Sequence, residues 1–307
     1  MLASILLFLA GCAGVNGNLG TIEVVMCSQY DCYQLFQDLL ARSSKADCAL
    51  YSVNSQLVQD LAAMDYRLVV DKQNTKSVKS VKYQTNKGAK NLMHNKFCIL
   101  DGSSVITGSF NPMKGQDTYD NVILVSSSDI AKAYQKEFEE LYSGEFGRGS
   151  AAKASEYVAG NIPVKIFFCP EDRCEDNLIN ALQEAKESVY FMTFAFTSNK
   201  VGDVLKQRHA SGVNVEGITD PSQLGKWSEK QSLEQGNISV HLPPDGMLLH
   251  HKVFIIDNAT VVTGSFNPTK NANENNDENM LIIKDKGIAQ QFKDEFERIK
   301  QDTHPIQ

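Results

Sequence analysis

The sequence predicts an α/β protein made of two similar halves, each a mixed β-sheet flanked by helices. Three observations predict it. Short apolar stretches of strand length alternate with helical patterns along the chain. "IEVVMCSQYDC" (residues 22–32) and "VKIFFCPEDRC" (residues 164–174) superpose at an offset of 142 residues. "LMHNKFCILDGSSVITGSFNP" (residues 92–112) and "LLHHKVFIIDNATVVTGSFNP" (residues 248–268) superpose at 156. A repeat therefore spans most of the chain, and the first half is 14 residues shorter between the two landmarks.

In order along the chain, residues 1–18 form a leader and tether. "MLASILLFLAGC" is an uninterrupted apolar run ending in small residues before Cys12, the layout of an export signal rather than of a folded element. Leu9-Ala10-Gly11-Cys12 resembles the lipobox of bacterial-type lipoproteins, although no Lys or Arg precedes the run. That resemblance implies lipidation of Cys12 and export to the cell envelope with a lipid anchor in the membrane. A plain N-terminal anchor, or a leader simply cleaved before secretion, is the other reading. With 307 residues, 42% hydrophobic and 22% charged, the rest has the size and composition of two soluble domains. No later stretch approaches the roughly 20 apolar residues of a membrane span.

The first domain covers residues 19–142 and opens with the strand "IEVVM" and the helix "YQLFQDLLARS". Residues 143–161, "SGEFGRGSAAKASEYVAGN", read as a linker because Gly, Ser and Ala replace any sustained apolar period. The second domain, 162–307, reads as "VKIFF", a helix to about Glu187, "SVYFMTFAF", a helix near "KVGDVLKQRHASG", "VNVEGITD", "HHKVFIID", "ATVVTGS", "NMLIIK" and a closing helix "GIAQQFKDEFERIKQ".

Export makes disulfides admissible. Cys27 and Cys32 share the spacing of Cys169 and Cys174, each pair running from a strand end to a helix start, and each is expected to form a small disulfide. A zinc site would need four ligands, and no His or Cys cluster supplies them. Cys48 and Cys98 fall in apolar strands and are expected as buried thiols, with mutual pairing left open.

The second repeated stretch carries chemistry. On a strand, residues two apart share a face, so His94 points with Lys96 and His250 with Lys252, while His251 faces away. Each apolar run then ends in Asp101 or Asp257, and a further strand leads to Gly-Ser-Phe-Asn, with Ser109 and Asn111 in one half and Ser265 and Asn267 in the other. Imidazole, ammonium, hydroxyl and amide together make a phosphate-binding set with a potential nucleophile, and two sets can build one site.

H-x-K-x4-D-x6-G-S-x-N, present twice between about residues 20 and 300, resembles the HKD signature of the phospholipase D superfamily. The resemblance implies two phospholipase D-like domains related by a pseudo-two-fold axis with one site at their interface. It makes His94 and His250 the catalytic pair, one forming a phosphohistidine and the other protonating the leaving alcohol, with His94 the nucleophile by analogy. Lys96, Lys252, Asn111 and Asn267 would hold the nonbridging oxygens. A downstream carboxylate would orient each histidine: Glu278 matches for His250, and Asp120, a shorter side chain, for His94. Asp101 and Asp257 are assigned to structure or salt bridging.

No cofactor or metal is called for, since two histidines near neutral pH can divide nucleophilic and acid–base work. A non-catalytic, lipid-tethered phosphate-binding module would be expected to have lost a His or Lys from one half, and neither half has. "NANENNDEN" offers a metal-binding reading but is taken as a solvated turn leading to Glu278. The chain should act as a monomer, both half-sites lying within it. For the substrate, a net charge of −7 argues against coating nucleic acid nonspecifically. Yet residues 72–96 hold seven Lys and no Asp or Glu, a strip for a polyanion or for anionic headgroups. The compact halves resemble the small bacterial nucleases of the superfamily more than its larger secreted phospholipases, which tips the expectation slightly to an endonuclease acting on nucleic acid, with phospholipase D activity on membrane phospholipid as the alternative.

Overall fold

In the computed structural model, residues 20–302 are described except 116 and 152–155. The leader and Cys12 lie outside the described residues. The first half runs β1 (Thr21–Met26), α1 (Cys32–Ala41), β2 (Lys45–Leu50), α2 (Ser55–Ala62), β3 (Asp65–Val70), β4 (Gln84–Thr85), β5 (Lys96–Leu100), β6 (Ser104–Gly108), β7 (Thr118–Tyr119), β8 (Asn121–Ser126) and α3 (Ser128–Ser143). The second runs β9 (Glu156–Ala159), β10 (Ile162–Cys169), α4 (Cys174–Gln183), β11 (Ser188–Thr193), α5 (Asn199–Ala210), β12 (Asn214–Thr219), α6 (Lys230–Gln235), β13 (Ser239–His241), β14 (Leu248–Leu249), β15 (Lys252–Ile256), β16 (Thr260–Gly264), α7 (Lys270–Glu274), β17 (Glu278–Lys284) and α8 (Lys286–Asp302).

The two sheets repeat one order. The first is β1-β8-β6-β5-β2-β3-β4, and the second, read from its far edge, is β9-β10-β17-β16-β15-β11-β12-β13. β2 pairs parallel with β3 but antiparallel with β5, so the sheet is mixed, and β11 does the same with β12 and β15. β9 is the one addition. It forms a hairpin with β10 and occupies part of the stretch expected to be linker. The Gly at residue 160, at φ 66°, makes that turn.

Helices begin where the sequence supplies caps. Asp31 accepts from the Gln34 N–H at the start of α1, and Ser127 does so from Ile130 at the start of α3. α3 ends at Gly144 in the left-handed region. The inner faces of both sheets share one apolar core. It joins Phe97 and Ile123 of the first sheet to Phe168, Val253 and Leu281 of the second, through Tyr134 and Phe138 of α3 and Phe292 and Phe296 of α8. The outer faces are covered separately, by α1 and α2 in the first half and by α4 and α5 in the second. A common inner core fixes the halves against each other, which is what a site at their seam requires.

Cys27 pairs with Cys32 and Cys169 with Cys174, as expected. Cys48 and Cys98 are also bonded rather than free. The register explains it: they stand directly opposite each other on antiparallel β2 and β5, with Cα atoms 4.1 Å apart.

Candidate active site

The histidines lie just ahead of their strands rather than within them, β5 and β15 beginning at Lys96 and Lys252. The segment before each histidine pairs with the other half. Leu248 and Leu249 lie parallel to Thr118 and Tyr119, and the His250 N–H donates to the Tyr119 carbonyl at 3.0 Å. In mirror fashion Met93 bridges Asp277, and the His94 N–H donates to the Asp277 carbonyl at 2.9 Å.

This handshake corrects the expected carboxylate pairing. His94 Nδ1 meets Glu278 Oε2 of the second half at 2.8 Å, and His250 Nδ1 meets Asp120 Oδ1 of the first half at 2.8 Å. Each carboxylate serves the histidine of the opposite half, because residues 118–120 and 277–278 lead their chains across the seam before turning into β8 and β17. Ser109 Oγ donates to Asp120 Oδ1 and Ser265 Oγ to Glu278 Oε2, each at 2.6 Å, so the motif serines steady the carboxylates. The glycines before them are required. Gly108 and Gly264 sit at φ 130° and 140°, where a Cβ would lie 2.3 Å from the carbonyl of Asn121 or Asn279.

Lys96 Nζ donates to the His94 carbonyl at 2.7 Å, and Lys252 Nζ donates to the His250 carbonyl. An aromatic ring backs each set: Tyr51 stands edge-on to His94 with centroids 4.9 Å apart, and Phe194 to His250 at 5.1 Å. Asn267 Oδ1 accepts from the Ala195 N–H at 3.3 Å, whereas Asn111 Oδ1 is buried without a hydrogen-bond partner. Asp101 and Asp257 stand apart from the chemistry. At φ 50° and 52°, they turn the chain beyond β5 and β15 and cap backbone N–H groups, Asp101 those of Ser44 and Lys45, Asp257 those of Lys186, Glu187 and Ser188. Their role is structural, through backbone hydrogen bonds.

Two residues escaped the sequence reading. Asp71 and Asp220 end β3 and β12, both buried. Asp71 accepts from Gln73 N–H with one oxygen and from Met93 N–H, at 2.9 Å, with the other. Asp220 does the same with Ser222 and Leu249, the latter at 2.8 Å. Each thus pins the residue immediately before a histidine. "VVDK" and "ITDP" at an offset of 149 residues were the available signal.

Burial sets the protonation states. It lowers Lys96 to about 8 and Lys252 to about 7, against the carboxylates that favour the charged forms. It lowers His250 to about 4, with Lys252 adding to the effect and Asp120 opposing, and lowers His94 with Glu278 opposing. Burial would raise Asp120 and Glu278, but their histidine and lysine partners outweigh it and hold both below the usual carboxylate range. An ionised carboxylate on Nδ1 keeps the neutral imidazole proton there and leaves the lone pair on Nε2. An imidazole presented in this way offers a nucleophilic Nε2 when neutral and a proton at Nε2 when protonated, so two of them beside two buried lysines can divide the nucleophile and acid roles once one has taken up a proton. Among the described residues no group of three His, Cys, Asp or Glu could hold a metal ion.

A doubled mixed-sheet fold whose two histidine–lysine sets meet at a single seam is a phospholipase D-like architecture. The chain matches the family described as "Cardiolipin synthase, PLD-like domain" over residues 21–142 and 178–300, and it belongs to that family. It is 36% identical over 129 residues to the mitochondrial cardiolipin hydrolase of Canis lupus familiaris, covering 42% of this chain and 51% of that protein. It is 32% identical over 130 residues to a phospholipase D of Rickettsia prowazekii, covering 42% and 63%. The chain thus spans between half and two thirds of the length of these relatives. A phosphatidylserine synthase of Haemophilus influenzae superposes with a TM-score of 0.67 at 12% identity, over 92% of this chain and 85% of that one, a likeness of fold.

Proposed function

We propose that the chain is a phosphodiesterase that cleaves through a phosphohistidine, with both half-sites supplied by one chain. The observation that carries this reading is the crossed pair, His94 on Glu278 and His250 on Asp120. His94 Nε2 attacks phosphorus, forming the P–N bond as the P–O bond to the leaving alcohol breaks, while protonated His250 gives its proton to that oxygen. Water then attacks phosphorus, His250 takes up the water proton, and the P–N electron pair returns to His94. The negative charge of the diester favours protonation of the lysines and of His250 facing it, offsetting the effect of burial. Lys96, Lys252, Asn111 and Asn267 offset charge on the nonbridging oxygens in the transition state.

Two diester classes fit. The acid-free lysine strip before His94 supports nucleic acid, the reading the compact halves favour. The cardiolipin hydrolase and phospholipase D relatives support a phospholipid diester. Lipidation of Cys12 would hold the chain in the envelope beside the latter. Hydrolysis of bis(p-nitrophenyl) phosphate, single-stranded DNA, RNA, phosphatidylcholine and cardiolipin by one preparation, with and without EDTA, tests both levels. Turnover on none of them removes the reading, and loss in EDTA restored by a divalent ion removes the metal-free mechanism.

A further inference from the structure

Most of the exposed large apolar side chains lie on segments tied to the His250 half of the site. Among the described residues four large ones are exposed: Val158, Leu224, Trp227 and Leu248. Val158 lies on β9 at the sheet edge. The other three lie on segments tied directly to His250. Leu248 is two residues before it. Leu224 and Trp227 belong to residues 221–228, "PSQLGKWS", of which all but the last are exposed. This excursion is rooted at both ends, at Asp220 through the Leu249 N–H and at Glu229 through its N–H to the Phe196 carbonyl, two residues beyond the ring backing His250. Both of its ends are therefore fixed to segments that position His250, and Trp227 between them is 71% exposed.

The pseudo-symmetric position in the first half carries the complementary chemistry. There the chain leaves Asp71, the counterpart of Asp220, and exposes Lys76, Lys79, Lys82, Lys87 and Lys90 with no carboxylate before His94. One half thus lends the surroundings of the site an indole with aliphatic neighbours, the other a row of ammonium groups. Indole and leucine enter the headgroup boundary of a bilayer while lysines attract anionic lipid. Leu224 and Leu248 offer no ring on which a base could stack, which favours a lipid surface over a nucleic acid strand.

We infer that residues 221–228 and the lysine-bearing segment 72–90 form a docking surface for an anionic phospholipid bilayer, seating the catalytic seam on the membrane. The inference deepens the proposed function by naming the partner, while docking itself needs no turnover.

Trp227 is the single tryptophan of the chain, so its fluorescence reports on this loop alone. The full chain is mixed with phosphatidylcholine vesicles, with the same vesicles containing a third of phosphatidylglycerol, and with single-stranded DNA. Emission should shift to the blue and be quenched by shallow brominated lipid on the anionic vesicles only. Replacing Lys76, Lys79 and Lys82 by Gln should weaken that binding by about fivefold per lysine, and Leu224→Ser should reduce the shift. Val158→Ser should change neither. A vesicle-bound chain whose Trp227 still emits as an exposed indole is held by its N-terminus alone and overturns the inference. So does emission that responds to DNA and not to vesicles. Hydrolysis of the soluble diester in the same samples reports on the catalytic reading separately.

Discussion

Glu278→Gln is the sharpest perturbation of the crossed site. The substitution keeps shape and removes charge at a buried carboxylate that accepts from both His94 Nδ1 at 2.8 Å and Ser265 Oγ at 2.6 Å. A charge-assisted hydrogen bond of this kind contributes about 1.5–3 kcal/mol, which corresponds to roughly 10- to 150-fold in an equilibrium or rate. The carboxamide also cannot enforce the tautomer with the lone pair on Nε2, so about 100-fold or more should be lost from turnover of bis(p-nitrophenyl) phosphate. The assay that decides the crossing is site-resolved 15N titration of the imidazoles. Glu278 raises the His94 pKa and Asp120 that of His250. Glu278→Gln should therefore move His94 to lower pH and leave His250 in place, and Asp120→Asn should do the reverse. If Glu278→Gln instead moved His250, each carboxylate would serve its own half and the seam as described would be wrong.

Neighbouring histidines should behave oppositely. His250→Asn should lower turnover by about 100-fold or more, whereas His251→Asn, which loses a buried contact of 3.0 Å with Asn121 and one of 3.5 Å with Glu295, should keep activity and lose about 1–3 kcal/mol in a urea melt. Anion affinity should fall with pH in a defined window. Lys252 and Lys96, at about 7 and 8, are both charged below pH 7 and both neutral well above pH 8, so calorimetry with tungstate should show binding weaken through that range with proton uptake on binding. Constant affinity from pH 6 to 9 would place the lysines away from the anion. Asp220→Asn should cost up to about 100-fold in turnover by loosening the His250 segment, and should move the alkaline limb to lower pH, because the Asp220 charge favours charged Lys252. Reduction and alkylation under denaturing conditions should reveal three intramolecular disulfides by intact mass, Cys48–Cys98 among them. A free pair at 48 and 98 in exported protein would contradict that bond.

What the sequence made legible is what repeats at fixed spacing. His94, Lys96, Ser109 and Asn111 recur as His250, Lys252, Ser265 and Asn267 because one local backbone path is used twice, and period and turn chemistry encode that path. The partner of a carboxylate is different. Asp120 follows His94 by 26 residues and was assigned to it, yet it reaches His250, 130 residues away, since nothing local records which way a short strand leans across a seam. Asp71 and Asp220 were missed for the same reason: an Asp at a strand end looks like any helix cap until the N–H groups of Met93 and Leu249 are placed above it. Cys48 and Cys98 could be placed on strands, but only the register of β2 against β5 brings them opposite. β9 was hidden in a stretch whose composition is that of a linker, because four residues of edge strand carry too little apolar period to be read.

The exchange of carboxylates across the seam also has a temporal meaning. His94 is built within the first hundred residues, but its partner Glu278 lies 184 positions later. A chain that has produced only its first sheet holds an imidazole with nothing to fix its tautomer, and an Asp120 whose counter-ion does not yet exist. The proposed hydrolysis therefore requires β17, which brings Glu278 to His94 across the seam. A copy that stops short of Glu278 lacks the carboxylate that fixes His94, so the first half alone does not hold a complete site.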